Sequence, residues 1–514
     1  MDGLGTHHFP VTTRSPQAQA YMDQGIAFVY GFNHDEAIRA FEEAARLDPS
    51  CAMAYWGKAL ALGPNYNLPI DSERAVTARK TVERALALSG RVSSRERAYI
   101  HALAKRYGSR PSTDDRKALD RAYANAMREV ARRYPDDLDA SVIFAESLMV
   151  LRPWDLWTAD GKPQPGTEEI VATLERVMAR APGHPGANHY YIHAVEASPN
   201  PERALRAADT VAATMPAAGH IVHMPSHIYM RVGRYADAAD TNTNAIKVDE
   251  AYIASQKPAG VYPMMYYPHN VHFFWSAASM EGRSADALGA AESLDKQIEP
   301  AMLHQMPTME YFAPTLAFAY VRFAKWDEIL ALPKPPDDLP YSVGMWEHAR
   351  GLALVAKGHV AEADAAHAEL VRIAAAMPAD RIVADNQPAA QHLQLAADVL
   401  GAEIAARRGR TDDAVRIFEE AVRLEDTLPY TEPPAWYQPV RHRLGALLLR
   451  AGRLADAEGV YREDLRRNPD NAWALTGLAE TLRRRGRRDE AAATDERLHR
   501  AAARADVRLK ESVL

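Results

Sequence analysis

One short pattern recurs along this chain and constrains its fold more than any other: a glycine, three residues, an acid and an alanine. It occurs at Gly233–Asp237–Ala238, Gly282–Asp286–Ala287, Gly358–Glu362–Ala363, Gly409–Asp413–Ala414, Gly452–Asp456–Ala457 and Gly486–Glu490–Ala491. Each copy sits between two apolar-periodic segments of about a dozen residues, the period of a helix with one buried face. The glycine ends one helix and the small alanine lets the next helix pack closely against it. The prediction is a helix-turn-helix unit repeated along the chain, an all-α protein.

The fullest unit runs from Tyr21 to Pro49, with Gly25, Ala37, Phe41 and Pro49 at its small, second-helix, aromatic and closing positions. It resembles the tetratricopeptide repeat, although Phe32 stands where the turn glycine usually lies. Gly452 and Gly486 are 34 residues apart, the period of that repeat. The resemblance implies an all-α, tetratricopeptide-type helical-repeat solenoid, a right-handed superhelix of about 11–12 helix pairs. It names a fold and not a chemistry. The expected organisation is an N-terminal arm (1–17), N-terminal repeats (18–182), histidine-rich repeats (183–300) and C-terminal repeats (301–514). Two segments rich in proline and aromatics, 151–166 and 251–268, break the period. They are expected to be irregular and to wall a groove, with Trp154, Trp157, Tyr262, Tyr266 and Tyr267 at its mouth.

With 514 residues the chain needs several domains or a repeat array. Its 61 basic and 68 acidic residues leave a net charge of -7, which argues against a nucleic-acid surface. The densest basic run, Arg483–Arg488, is flanked by acids and reads as a solvated helix end. The single cysteine, Cys51, allows no internal disulfide and reads as a small buried residue. The N-terminus lacks the basic start and apolar stretch of a signal peptide, and no apolar run is long enough for a bilayer. The expectation is a soluble, cytoplasmic protein with no membrane and no nucleic-acid partner.

Eight of the 19 histidines lie between His184 and His272. Counted back from the turn glycines, they recur at matching places in three successive first helices. Neighbouring first helices in a solenoid lie side by side, about 8–10 Å apart, so matching positions form rows. The expected rows are His189–His223–His272, His193–His227 and His220–His269. His189, His193 and Glu196 share one helical face by their spacing. In proteins of this repeat class that face is the concave groove.

Neutral imidazole is the commonest ligand for zinc, copper and iron, and neighbouring helices bring several together without a disulfide. The candidate ligands of a divalent transition metal (zinc, copper or iron) are His189, His193, His220, His223, His227, His269 and His272. Glu196 and Glu146 are the candidate catalytic carboxylates, as general base or ligand orienter. Tyr190, Tyr229, Asn270, Trp154 and Tyr267 are candidate substrate contacts. The remaining histidines read as packed or solvated residues, and His7 and His8 belong to an arm that folds back over the groove or hangs free. The segments around Leu4–Gly5, His8–Pro10, Cys51–Gly57, His189–His193, His223–Tyr229 and His269–His272 together resemble a histidine-rich group of bacterial tetratricopeptide proteins. That resemblance implies that these residues act as a unit, and it implies no reaction. Two functions fit: a metal-dependent enzyme, hydrolytic or oxidative, acting on a small molecule, or a non-catalytic scaffold that binds a protein or peptide in its groove.

Overall fold

A computed structural model describes residues 2–108, 115–258, 260–298, 300–384 and 386–514. The fold is all-α and of tetratricopeptide type. Strand pairing among the described residues amounts to a short ribbon, Ile382–Ala384 against Gln387–Pro388, and one bridge between Trp157 and Pro163. No described helix is long and apolar enough to cross a membrane.

The repeat follows from local chemistry. All six glycines of the recurring pattern have φ between +75° and +85°, a conformation that only glycine reaches without strain. Phe32 occupies the equivalent place in the first unit with φ of +56°, on a β-carbon that disfavours it. Helix-to-helix spacing is set by small residues facing aromatics. A β-carbon at Gly25 would come within 2.4 Å of the Phe41 ring, and one at Gly57 within 2.5 Å. Tyr461 is clamped in the same way between Gly445 and Gly477, at 2.5 and 2.1 Å. These two aromatics occupy the same station in the helix pairs at opposite ends of the chain.

The chain forms two compact units, one comprising 1–228 and 244–262, the other 229–243 and 263–514. The division falls inside the histidine-rich block. His189, His193, His220, His223 and His227 belong to the first unit, and His269 and His272 to the second.

The second proline-aromatic segment is more regular than its composition suggests. Residues 251–256 complete the helix Tyr235–Gln256, and the π-turn Tyr262–Tyr266 runs directly into the helix Tyr267–Glu281. Pro268 stands in the first turn of that helix, where its missing N–H leaves no bond unmade. The first segment, 151–166, is irregular and is tied down by Trp157, whose Nε1 donates to the Ala194 carbonyl at 2.8 Å.

Candidate metal centre

The helix Pro185–Val195 carries His189 and His193, and Glu196 closes it as its C-cap. The next first helix is broken. Gly219–His223 and Pro225–Arg231 are separate pieces, because Pro225 has no N–H to continue the ladder. The start of the first piece is fixed by a short polar chain. Gly219 leaves room for Asp249, whose Oδ1 would lie 1.8 Å from a β-carbon there. That oxygen accepts from the Tyr262 hydroxyl at 2.8 Å, which in turn accepts from the His220 amide at 3.2 Å.

These breaks bring five imidazoles and one carboxylate of the first unit into a single cluster. His189, His193, His220, His223, His227 and Glu196 are each at most 2% exposed. The expected open groove is therefore a buried core. The expected His193–His227 row is present, with ring centroids 5.2 Å apart, but the His189–His223 row is replaced. His189 Nε2 meets His220 Nε2 at 3.2 Å, and His223 Nε2 meets His227 Nε2 at 2.8 Å within one segment. Row geometry assumes two continuous parallel helices, and the break at Pro225 shifts the register.

The Nδ1 contacts of His189, His193 and His223 fix the protons of those three rings. His189 Nδ1 lies 2.5 Å from the Tyr30 carbonyl, which only an N–H can face. His193 Nδ1 lies 3.0 Å from Glu196 Oε1, and His227 Nδ1 lies 2.6 Å from Glu196 Oε2. His223 Nδ1 is 3.3 Å from Ser226 Oγ, a hydroxyl that donates to the His223 carbonyl and so accepts from the ring. In neutral imidazole a proton on Nδ1 leaves Nε2 with a lone pair. The Nε2 atoms of His223 and His227 face each other, and His193 Nε2 is buried with no hydrogen-bond partner among the described residues.

Burial drives the His189 pKa well below its ordinary value, and it lowers that of His227 against the pull of Glu196. Burial alone would raise Glu196, but His193 and His227 outweigh it and hold the carboxylate near 2. Burial thus disfavours the charged form of His189 and His227, and Glu196 stays ionised. Ligand atoms from His189, His193 and His220 lie within 4.8 Å of one another, as do those of His193, Glu196 and His227. Aromatic rings pack around it: Phe32 stacks on His193 and His220 with centroids 5.9 and 5.6 Å away, and Tyr66 and Trp154 lie 5.3 and 5.8 Å from His193.

The tetratricopeptide repeat family model matches residues 18–51, and a second model of the same repeat matches 448–510. The chain carries tetratricopeptide repeats at these two places. No curated protein matches it in sequence. Solved structures with similarity to it include the human IFIT1 dimer with m7Gppp-AAAA, at 13% identity over 96% of this chain and 92% of that one, with a TM-score of 0.37. Others are the APC/C hetero-tetramer Cut9–Hcn1 (11% identity, 95% and 78% covered, TM-score 0.34) and yeast Tom70 (10%, 94% and 92%, TM-score 0.30).

The other candidate residues are placed as follows. Tyr190 packs on His189 with ring centroids 5.2 Å apart, and Trp154 sits against His193 as stated. Glu146 is not in the histidine cluster. It lies on the helix Leu138–Met149 and lines a separate cavity with Arg106. In the second unit His272 is buried between Trp275, Tyr311 and Phe312, and burial pushes its pKa down to about 3. His269 packs on Phe273, Asn270 is fully buried, Tyr267 is half-buried, and Tyr229 lies under the Arg234 guanidinium at 4.1 Å.

Sequence reasoning left His7 and His8 of the N-terminal arm without an assigned role. His7 Nε2 and the Tyr30 hydroxyl both donate to Asp139 Oδ1, at 2.8 and 2.5 Å, and His184 Nε2 lies 3.3 Å from the same oxygen. His184 Nδ1 accepts from the Ala187 amide, so its proton is on Nε2. His7 and Tyr30 bond to that carboxylate, and ligand atoms of His7, Asp139 and His184 lie within 4.8 Å of one another. It also passed over Phe32 and Tyr66. Phe32 had a visible signal, an aromatic ring in a glycine position.

Proposed function

We propose that this protein is a helical-repeat scaffold whose first unit is pinned by a divalent transition metal held on buried histidines. His189, His193 and His220 are the ligands through Nε2. His223 and His227 offer a contiguous second pair. The observation that supports this reading is the convergence of the rings: Nδ1 of His189, His193 and His223 is turned to an acceptor, His227 Nδ1 lies 2.6 Å from Glu196, and Nε2 atoms meet in pairs at 2.8 and 3.2 Å. Ligands about 2.0–2.1 Å from one zinc ion stand about 3.3 Å apart, close to these separations. Second-shell acceptors of this kind orient histidine ligands in metal proteins.

Glu196 belongs to that second shell. Both of its oxygens face imidazole Nδ1 atoms, and a carboxylate held near pKa 2 is a poor proton acceptor at neutral pH. The general-base role that its spacing suggests is therefore not the one its geometry supports. With a fully buried centre and no base on it, the scaffold reading is favoured over the enzyme reading.

Metal analysis of tag-free protein by mass spectrometry tests this. A near-stoichiometric divalent metal in the wild type, lost in H189A and H193A, is the expected result. Metal-free protein that also fails to take up zinc, copper(II) or iron(II) after chelation would overturn it, leaving the facing nitrogens to share a proton.

A further inference from the structure

A second buried ionic group lies in the first unit, apart from the histidines. Arg106 is 1% exposed and its ring of contacts is incomplete. Its Nε donates to Asp120 Oδ1 at 3.2 Å and its guanidinium lies over the Tyr123 ring at 4.6 Å. Neither Nη1 nor Nη2 has a hydrogen-bond partner among the described residues. A buried guanidinium with both terminal nitrogens unbonded is costly, since each N–H forfeits its water.

Those nitrogens belong to a residue that lines a cavity with Val29, His34, Leu60, Pro64, Ile143, Glu146 and Tyr190. The cavity leaves about 10 Å³ for the centre of a water-sized sphere, the room of one water molecule or a small ion. Glu146 is 7% exposed and makes no hydrogen bond or ion pair among the described residues. The other titratable side chains here are committed. His34 is neutral, accepting from Asn65 Nδ2 at 3.3 Å and bonded to the Ala61 backbone, and the Tyr190 hydroxyl turns to the Val29 carbonyl.

The charge count decides what fits. Asp120 is shared by Arg106 and by Arg116, which grips both its oxygens at 2.9 Å. Two guanidinium cations against one carboxylate leave one positive charge. An ionised Glu146 would cancel it across the cavity. A protonated Glu146 leaves it for a monovalent anion, and the acid O–H becomes a second donor. Burial pushes Glu146 up to about 7 against the pull of Arg106, so both states are within reach near neutral pH.

We propose that this cavity is a binding site for a small monovalent anion of halide size, held by Arg106 Nη1 and Nη2, and that the anion enters together with one proton that settles on Glu146. None of the histidines proposed as metal ligands lines the cavity.

Chloride is the probe, added to the full-length protein at constant ionic strength with sulfate as the balancing anion, and binding is read from chloride-35 NMR line widths. Below pH 7 the affinity should be nearly flat. Above it, coupled uptake of one proton should weaken binding about tenfold per pH unit. In E146Q the side chain cannot ionise, so chloride affinity should persist to pH 8.5 without that slope. R106M should abolish binding. Should R106M fail to fold, the slope and its loss in E146Q carry the test. Wild-type protein that binds no chloride, that binds it with a pH-independent affinity, or whose slope survives in E146Q would overturn the proposal in favour of a water bridging Arg106 to an ionised Glu146.

Discussion

Glu196 joins two imidazoles from different segments, with Oε1 3.0 Å from His193 Nδ1 and Oε2 2.6 Å from His227 Nδ1. One carboxylate thereby fixes the Nδ1 proton of His193 and holds its second oxygen against the His227 ring. Replacing it with glutamine keeps the shape but leaves one acceptor and one donor. One ring must then lose its orientation or reverse its tautomer. E196Q should bind zinc about 10–100-fold more weakly than wild type, as loss of such an orienting partner does elsewhere. Competition with a calibrated chelator measures this, and circular dichroism should show unchanged helix content. Equal zinc affinity in the two proteins would remove Glu196 from the centre.

Phe32 joins backbone strain to the same cluster. Its φ of +56° disfavours any residue but glycine, by about 1–2 kcal/mol, while its ring is 2% exposed and stacked on His193 and His220. F32A loses the ring and keeps the strain, an expected loss of about 3–5 kcal/mol. F32G loses the same ring and relieves the strain. The glycine variant should therefore be the more stable of the two by about 1 kcal/mol, although it is smaller. Urea unfolding of the two variants side by side checks the order.

Two glycines of the second unit should respond in opposite directions to alanine. At Gly477 a β-carbon would meet the Tyr461 ring at 2.1 Å, whereas at Gly459, inside the helix Leu454–Arg467, it meets nothing within 4 Å. G477A should lose about 1–3 kcal/mol through overpacking. G459A should gain up to about 1 kcal/mol from helix propensity. Melting temperatures of the two variants against wild type provide the measurement.

Acid should loosen the second unit through histidines that have no part in the metal centre. Burial lowers His348 to about 3, with Arg443 adding to it, and lowers His392 to about 4. Both are neutral when folded and take up protons near pH 6.5 when unfolded, so the unfolded state binds more protons between those values. Stability from this source is complete above pH 6.5 and falls as pH drops, by about 1.4 kcal/mol per pH unit for each histidine. His348 is held by the Ala396 carbonyl at Nδ1 and by the Tyr437 hydroxyl at Nε2, 2.9 and 3.0 Å away. H348Q should be less stable than wild type at pH 7 and should show a shallower loss between pH 6.5 and 5. Urea midpoints across that range check it, and parallel pH profiles for the two proteins would be the contrary outcome.

The sequence alone determined the repeat. A glycine every helix pair, an aromatic such as Phe41 or Tyr461 between two small residues, and apolar spacing at 3.6 residues are local or nearest-neighbour requirements, and each leaves a mark at a fixed distance along the chain. The histidine cluster was legible for a related reason: spacing on one helix places His189, His193 and Glu196 together, whatever lies opposite. The tertiary structure decided what those side chains meet. The break at Pro225 changed the pairing from His189–His223 to His189–His220, and no count along a continuous helix reveals that shift. Burial made a core of the expected groove, turned Glu196 from a base into an orienter, and set Glu146 against Arg106. Protonation, orientation and charge balance depend on partners brought together from distant segments, and spacing along a single helix carries no record of them.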